Sequence, residues 1–281
     1  MRSKLMLAAV IGGLALTGTA ALANESSSSC RSLPGAGSVE TALTNAVTTI
    51  AGFSAGLGNN MWATIVDSHG VVCLVVDSVG GGKDPTDEIW LGSRVISAQK
   101  ANTANAFSLS AGSRGTAIAL STANLYSAVQ PGGSLFGLQA SNPVDALVAY
   151  RGPVFEFGKG RQDPLAGERV GGVNVFGGGL AIYDETGTRI GAIGVSGDTS
   201  CTDHAVAWET RHTLGLDYVP GGVSGNDDDN IIYDITPQPG QLPGISAGGF
   251  GHPHCLYPAA EDTVLAALPA TRKVTAAAVR H

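Results

Sequence analysis

Hydrophobic positions along the chain alternate between two periods. In residues 38–52, Leu43, Ala46, Val47 and Ile50 recur at helical spacing, with Ser38 as the expected N-cap and Glu40 in the first turn, which predicts an amphipathic helix. Residues 61–67 and 71–77 are β-rich runs separated by Ser68-His69-Gly70, where a glycine can supply the positive φ of a tight hairpin. The run Val71-Val-Cys-Leu-Val-Val76 has no polar alternation, so it reads as a strand covered on both faces.

Residues 93–107 read as a helix in which Ala98, Ala101 and Ala104 permit close approach to a sheet. A further helix is expected over 120–129, stopped by Pro131. Residues 131–167 are rich in Pro and Gly and have little periodicity, which predicts a long insertion. A second hairpin follows, 179–184 and 189–195 around Glu185-Thr186-Gly187. Gly191 and Gly194 leave gaps in its return strand, where a ligand or, more commonly, a helix backbone can approach. Residues 203–214 read as a helix ended by Gly215, and 231–234 as a short strand. The Ala-rich segment 259–281 is expected to be a mobile tail that adds no core.

The N-terminus carries Arg2 and Lys4, an apolar stretch over 5–16 and Ala21-Leu22-Ala23, the pattern of a cleaved signal peptide over 1–23. The remaining 24–258 reads as one domain, because no linker divides it. With 14% charged and 43% hydrophobic residues, the chain is not a disordered one. Its formal charge of −7, without a Lys/Arg cluster, argues against nucleic acid as a partner. No membrane span is expected once the leader is removed. Cys30, Cys73, Cys201 and Cys255 form an even set that suits disulfides in a periplasmic or secreted protein. Three pairings are possible. Cys30 with Cys73 and Cys201 with Cys255 is preferred, since each bond ties a peripheral segment to a predicted core element.

His204, Trp208 and His212 share one broad helical face, and neutral imidazole is a common ligand for haem iron or zinc. His252 and His254 flank a proline that presents them on a stiff loop. His204 and His252 are the metal-ligand candidates. The helical face has a plainer account as half-buried structural histidines, and the His252/His254 pair alone does not set a metal's coordination number. Gly194-Val-Ser196-Gly197 is not a nucleophile elbow, and Gly80-Gly-Gly-Lys83 lacks the spacing of a phosphate loop. Asp227-Asp-Asp-Asn230 offers oxygens for calcium, although a solvated acidic loop explains it more simply. No nucleophile or acid–base pair identifies an enzyme.

The element order, with Lys100-Ala-Asn-Thr-Ala104 and Ile190-Gly-Ala-Ile-Gly-Val-Ser-Gly197, resembles the GlcG/HbpS family, which includes the C-terminal domain of PduO. The resemblance covers about residues 38–214. It implies an α+β, profilin-like fold with about five antiparallel strands flanked by helices, a homo-oligomer, and haem as cofactor. Lys100 and Thr103 match the family motif, and Arg94 is a nearby cation suited to a propionate. The expectation is an exported haem-binding or haem-sensing protein without turnover. An accessory subunit of an exported redox complex is the alternative, and an enzyme of a small metabolite ranks third.

Overall fold

The computed structural model describes residues 29–81, 83–114, 118–235 and 245–275, so the leader expected over 1–23 lies outside the described residues. Four strands form one antiparallel sheet, β1 (Trp62–Asp67), β2 (Val72–Asp77), β3 (Gly179–Tyr183) and β4 (Arg189–Ser196), in the order β2-β1-β4-β3. The fold is α+β, with four strands where about five were expected. The fifth candidate, 231–234, has no ladder partner among the described residues and runs as irregular chain.

Helices cover both faces. Helices α1 (Ala36–Ala51) and α3 (Ser200–Thr213) lie on one side, where Val39, Leu43, Ala46 and Ile50 meet Ile65, Leu74, Leu180, Ile193 and Val206 in the main core. Burying each large aliphatic side chain there contributes roughly 1.5–3 kcal/mol. Helix α2 (Gly92–Ala106) covers the other side, packing Val95, Ala98, Ala101 and Ala104 against Trp62, Val66, Val75 and Ala192. This two-sided cover explains why β2 has no polar alternation.

The hairpin between β1 and β2 turns at Gly70, whose φ is +79°, while the Asp67 carboxylate accepts the His69 and Val71 N–H groups. Helix α1 starts at Gly35 rather than at Ser38, without a side-chain cap. In β4 the helix explanation of the glycine gap holds. A Cβ on Gly194 would lie 1.9 Å from the Ser97 carbonyl oxygen and 2.5 Å from the Ala101 nitrogen, both in α2.

Irregular chain lies along both outer strands. On β2, Val75 exchanges backbone hydrogen bonds with Gly160 at 3.2 and 2.8 Å, and Gly167 N–H donates to Val72 O at 2.8 Å. On β3, Tyr183 N–H donates to Leu216 O, Thr122 N–H donates to Gly179 O, and Arg211 reaches Ala181 O.

Three expectations need correction. Residues 120–129 form two short 3-10 turns, Ala123–Leu125 and Ser127–Val129, instead of one helix. They serve as a platform for Asn230, which receives the Asn124 side-chain amide through its carbonyl. The segment after 258 does contribute to the core. Helix α4 (Pro258–Ala267) buries Val264 in the main cluster, and beyond it Pro269 O accepts the Trp208 indole N–H at 2.9 Å. Alanines hid this docking surface, because α4 needs few large side chains to fit against α3. The acidic loop is solvated only at Asp227, since Asp228 and Asp229 are buried, and Asp229 takes two Arg211 nitrogens at 2.7 and 2.8 Å.

Candidate functional site

The Thr199 hydroxyl caps α3 by accepting from Thr202 N–H, and Asp203 in the first turn holds the strand end above it. Its carboxylate accepts the Gly197 and Asp198 N–H groups at 3.1 and 2.9 Å and pairs with the Lys100 ammonium at 2.7 Å. Lys100 donates a second bond to Val195 O at 3.1 Å. Burial pushes the Asp203 carboxyl up to about 6 and the Lys100 ammonium down, while each partner opposes the other's shift. Lys100 is thus a buried clamp between α2, β4 and α3.

Thr103 is also internal, its hydroxyl donating to Gln99 O and accepting Asn174 N–H at 2.9 Å. Arg94 lies under the insertion. Its guanidinium grips both Asp163 oxygens and stacks 3.6 Å from the Phe157 ring centroid. Asp163 in turn accepts the Gly158 and Leu165 N–H groups.

His204 and Trp208 do come together on α3, with ring centroids 6.0 Å apart. His204 is fully buried, and its Nε2 lies 3.1 Å from Asn230 Oδ1. The Ile231 N–H approaches that same oxygen at 2.8 Å and Nε2 at 3.1 Å. With Ile231 satisfied at the shorter distance, Nε2–H donates to Asn230 and Nδ1 keeps its lone pair. Among the described residues that Nδ1 has no hydrogen-bond partner. Burial brings the imidazole down to about 4, so it is neutral at pH 7.

His204 lines a narrow recess of about 10 Å³ with Cys201, Ile231, Tyr233 and Leu265, roofed by α4. That is room for about one water molecule. Across Leu265 and Leu268 lies an open cleft of about 400 Å³, bordered by Trp208, Asn230 and Lys273.

The other histidines separate. His212 leaves the shared face to bond Asp217 at 2.7 Å through Nδ1. His252 is buried beside Tyr126, its Nδ1–H donating to Pro253 O at 2.6 Å and its Nε2 lying 3.3 Å from Ser200 Oγ. Burial brings this ring down to about 4 as well. His254 stacks on Tyr233 with centroids 4.1 Å apart and meets Asp262 at 3.0 Å. Disulfides join Cys30 to Cys73 and Cys201 to Cys255, the preferred pairing. Sequence reasoning missed Asn230, Tyr233 and Glu261. Asn230 closes the acidic run already noted, and Glu261 accepts the backbone N–H groups of Cys255, Leu256 and Tyr257.

Comparison with known proteins finds a match of residues 38–211 to the family described as haem degrading protein HbpS-like. Among solved structures, the Klebsiella pneumoniae protein ORFY, of family DUF336, is 26% identical with a TM-score of 0.39, covering 63% of this chain and 87% of that one. A PduOC:heme complex is 23% identical with a TM-score of 0.38, covering 62% and 89% respectively. No curated protein matches the chain.

Proposed function

The chain belongs to the HbpS-like family, and from that membership we propose that it binds haem; we read it further as an exported protein that holds or senses its ligand without turning it over. The observation at the site that supports this reading is the unpartnered His204 Nδ1, a buried neutral imidazole whose opposite nitrogen is fixed by Asn230. Metal-bound histidines are oriented in this way by a second hydrogen bond. Trp208 adds an aromatic wall, and Lys273 on the neighbouring cleft supplies a cation for a propionate.

The fit has a condition. A recess of about 10 Å³ does not admit a macrocycle, whereas the adjoining cleft of about 400 Å³ falls within the range of ligand pockets. Leu265 and Leu268 line both spaces, so displacement of α4 merges them. This helix lies outside the family match at 38–211 and acts in our reading as a cover over the family core. Arg94, Lys100, Thr103 and His212 have structural partners and support the shell rather than the ligand. Binding without turnover suits the one carboxylate lining the recess, Glu261, which already accepts three backbone N–H groups.

Export accords with two disulfides and with the lack, among the described residues, of any helix long and apolar enough to cross a membrane. Haem titration of the oxidised chain should give a Soret shift at one equivalent. His204→Ala should lose it, and removal of residues 258–281 should speed uptake. Unchanged binding by His204→Ala overturns the ligand, absence of any Soret shift overturns haem binding, and bleaching under a reductant and oxygen overturns the lack of turnover.

A second reading, an accessory subunit or a homo-oligomer, is favoured by the insertion surface. Phe136, Leu147, Tyr150 and Phe155, all within the insertion, are 67%, 88%, 71% and 74% exposed, and large apolar side chains of this kind are what an interaction surface would cover. Light scattering of the purified chain, with and without haem, separates monomer from assembly.

A further inference from the structure

We propose that opening the Cys201–Cys255 disulfide turns the start of α3 into a site for a thiophilic cation, with Cys201, Cys255 and His252 as ligands and Zn2+ as the ion that fits. Cys201 Sγ, Cys255 Sγ and a ring nitrogen of His252 all lie within 4.8 Å of one another. Two thiolates on a tetrahedral zinc stand about 3.8 Å apart, which follows from bonds of about 2.3 Å, so the sulfurs reach that spacing by side-chain rotation once their bond is cut. The histidine is already set. Its Nδ1–H is committed to Pro253 O at 2.6 Å, which leaves the Nε2 lone pair facing Ser200 Oγ and the sulfurs. A backbone carbonyl on the far ring nitrogen is the usual support of a metal-bound imidazole. Three protein ligands leave a fourth position open to an incoming molecule.

The surroundings also suit the cleavage itself. Cys255 is partly exposed and Cys201 is buried in the first turn of the 14-residue α3. A thiolate of an external dithiol attacks Cys255 Sγ, the disulfide breaks, and Cys201 Sγ departs with the electron pair toward the positive end of the helix. The reductant's second thiol then attacks the mixed disulfide and releases Cys255. Its sulfur is already approached by Cys201 N–H at 3.1 Å and by the Ser200 hydroxyl at 3.3 Å, which stabilise the charge it acquires. The dithiol ends as its own disulfide, two electrons have entered the protein, and the two protons reside on its thiols until Zn2+ displaces them.

The other cysteine pair also has a third donor within 4.8 Å, Asp67, but neither an exposed sulfur nor a free ligand atom. Cys30 and Cys73 are both buried, and the nearby Asp67 carboxylate is filled by Ser29, His69 and Val71. It therefore serves as an internal control. The site does not depend on haem.

The test uses the folded full-length chain, a water-soluble phosphine as reductant, and Co2+ as an absorbing substitute for Zn2+. One phosphine and one water per disulfide yield phosphine oxide and two thiols. Two thiols per chain should appear first and be mapped to Cys201 and Cys255. The reduced chain should then bind one Co2+ with the charge-transfer absorption of two thiolates, a band that the oxidised chain should lack. His252→Ala should lose about 10-fold or more in affinity. In the unmutated chain, the His252 Nε2 nitrogen resonance should move on adding Zn2+ after reduction and stay fixed before it. Simultaneous opening of both disulfides, loss of the native circular dichroism on reduction, no cobalt uptake, or an unmoved His252 resonance each overturns the proposal.

Discussion

At the residue scale, His204 and His252 are the informative side chains. Both titrate near 4 in the folded chain against about 6.5 when unfolded, because burial disfavours the cation. Between those values the unfolded chain takes up protons that the folded chain refuses. Stability is therefore complete above about pH 6.5 and falls as the pH drops toward 4, by up to about 1.4 kcal/mol per pH unit for each ring. Urea midpoints at about pH 7 and about pH 5 read the effect. His204→Gln should remove part of the slope, and midpoints that do not move across this window refute the assignment. The pairing of His204 with Trp208 was legible from helical spacing. Their complete burial was not, because it arises from Asn230 and α4, segments remote in sequence. Arg94 taught the same lesson, since its partner Asp163 stands 69 residues away.

At the element scale, strong periodicity located the helices and hairpins within one to three residues. The weak stretches misled. Residues 120–129 have an apolar helical pattern but their turns are spent reaching Asn230, and 231–234 has strand composition without a neighbouring strand. Of the β4 glycines, Gly194 was read correctly as an avenue for a helix, whereas a Cβ on Gly191 would meet the Val66 carbonyl of β1 at 2.1 Å. Gly194→Ala sets a Cβ 1.9 Å from the Ser97 carbonyl oxygen, so α2 must lift off the sheet, at a cost of about 3 kcal/mol or more. Gly35→Ala, with nothing within 4 Å of its new Cβ, should be neutral within about 0.5 kcal/mol. Thermal unfolding of the two variants compares them directly, and equal melting temperatures sink the close-packing account.

At the scale of the whole molecule, the buried Arg94–Asp163 ion pair ties the insertion to α2, beside its backbone bonds to β2 and the burial of Phe157 and Leu165. Arg94→Ala leaves the Asp163 carboxylate without its cation and should cost about 3–5 kcal/mol. Limited proteolysis of that variant should begin within 131–167 while haem uptake is retained. Initial cleavage elsewhere, or lost uptake, contradicts a purely anchoring role. The same insertion has another effect through its contacts at Gly160 and Gly167 with β2, matched on the far side by Thr122 and Leu216 against β3. With both flanks bridged by loops, the sheet offers no continuous open edge on which a foreign strand can template. Two copies of this chain can meet through side chains, but growth into a cross-β fibre first requires peeling a loop away.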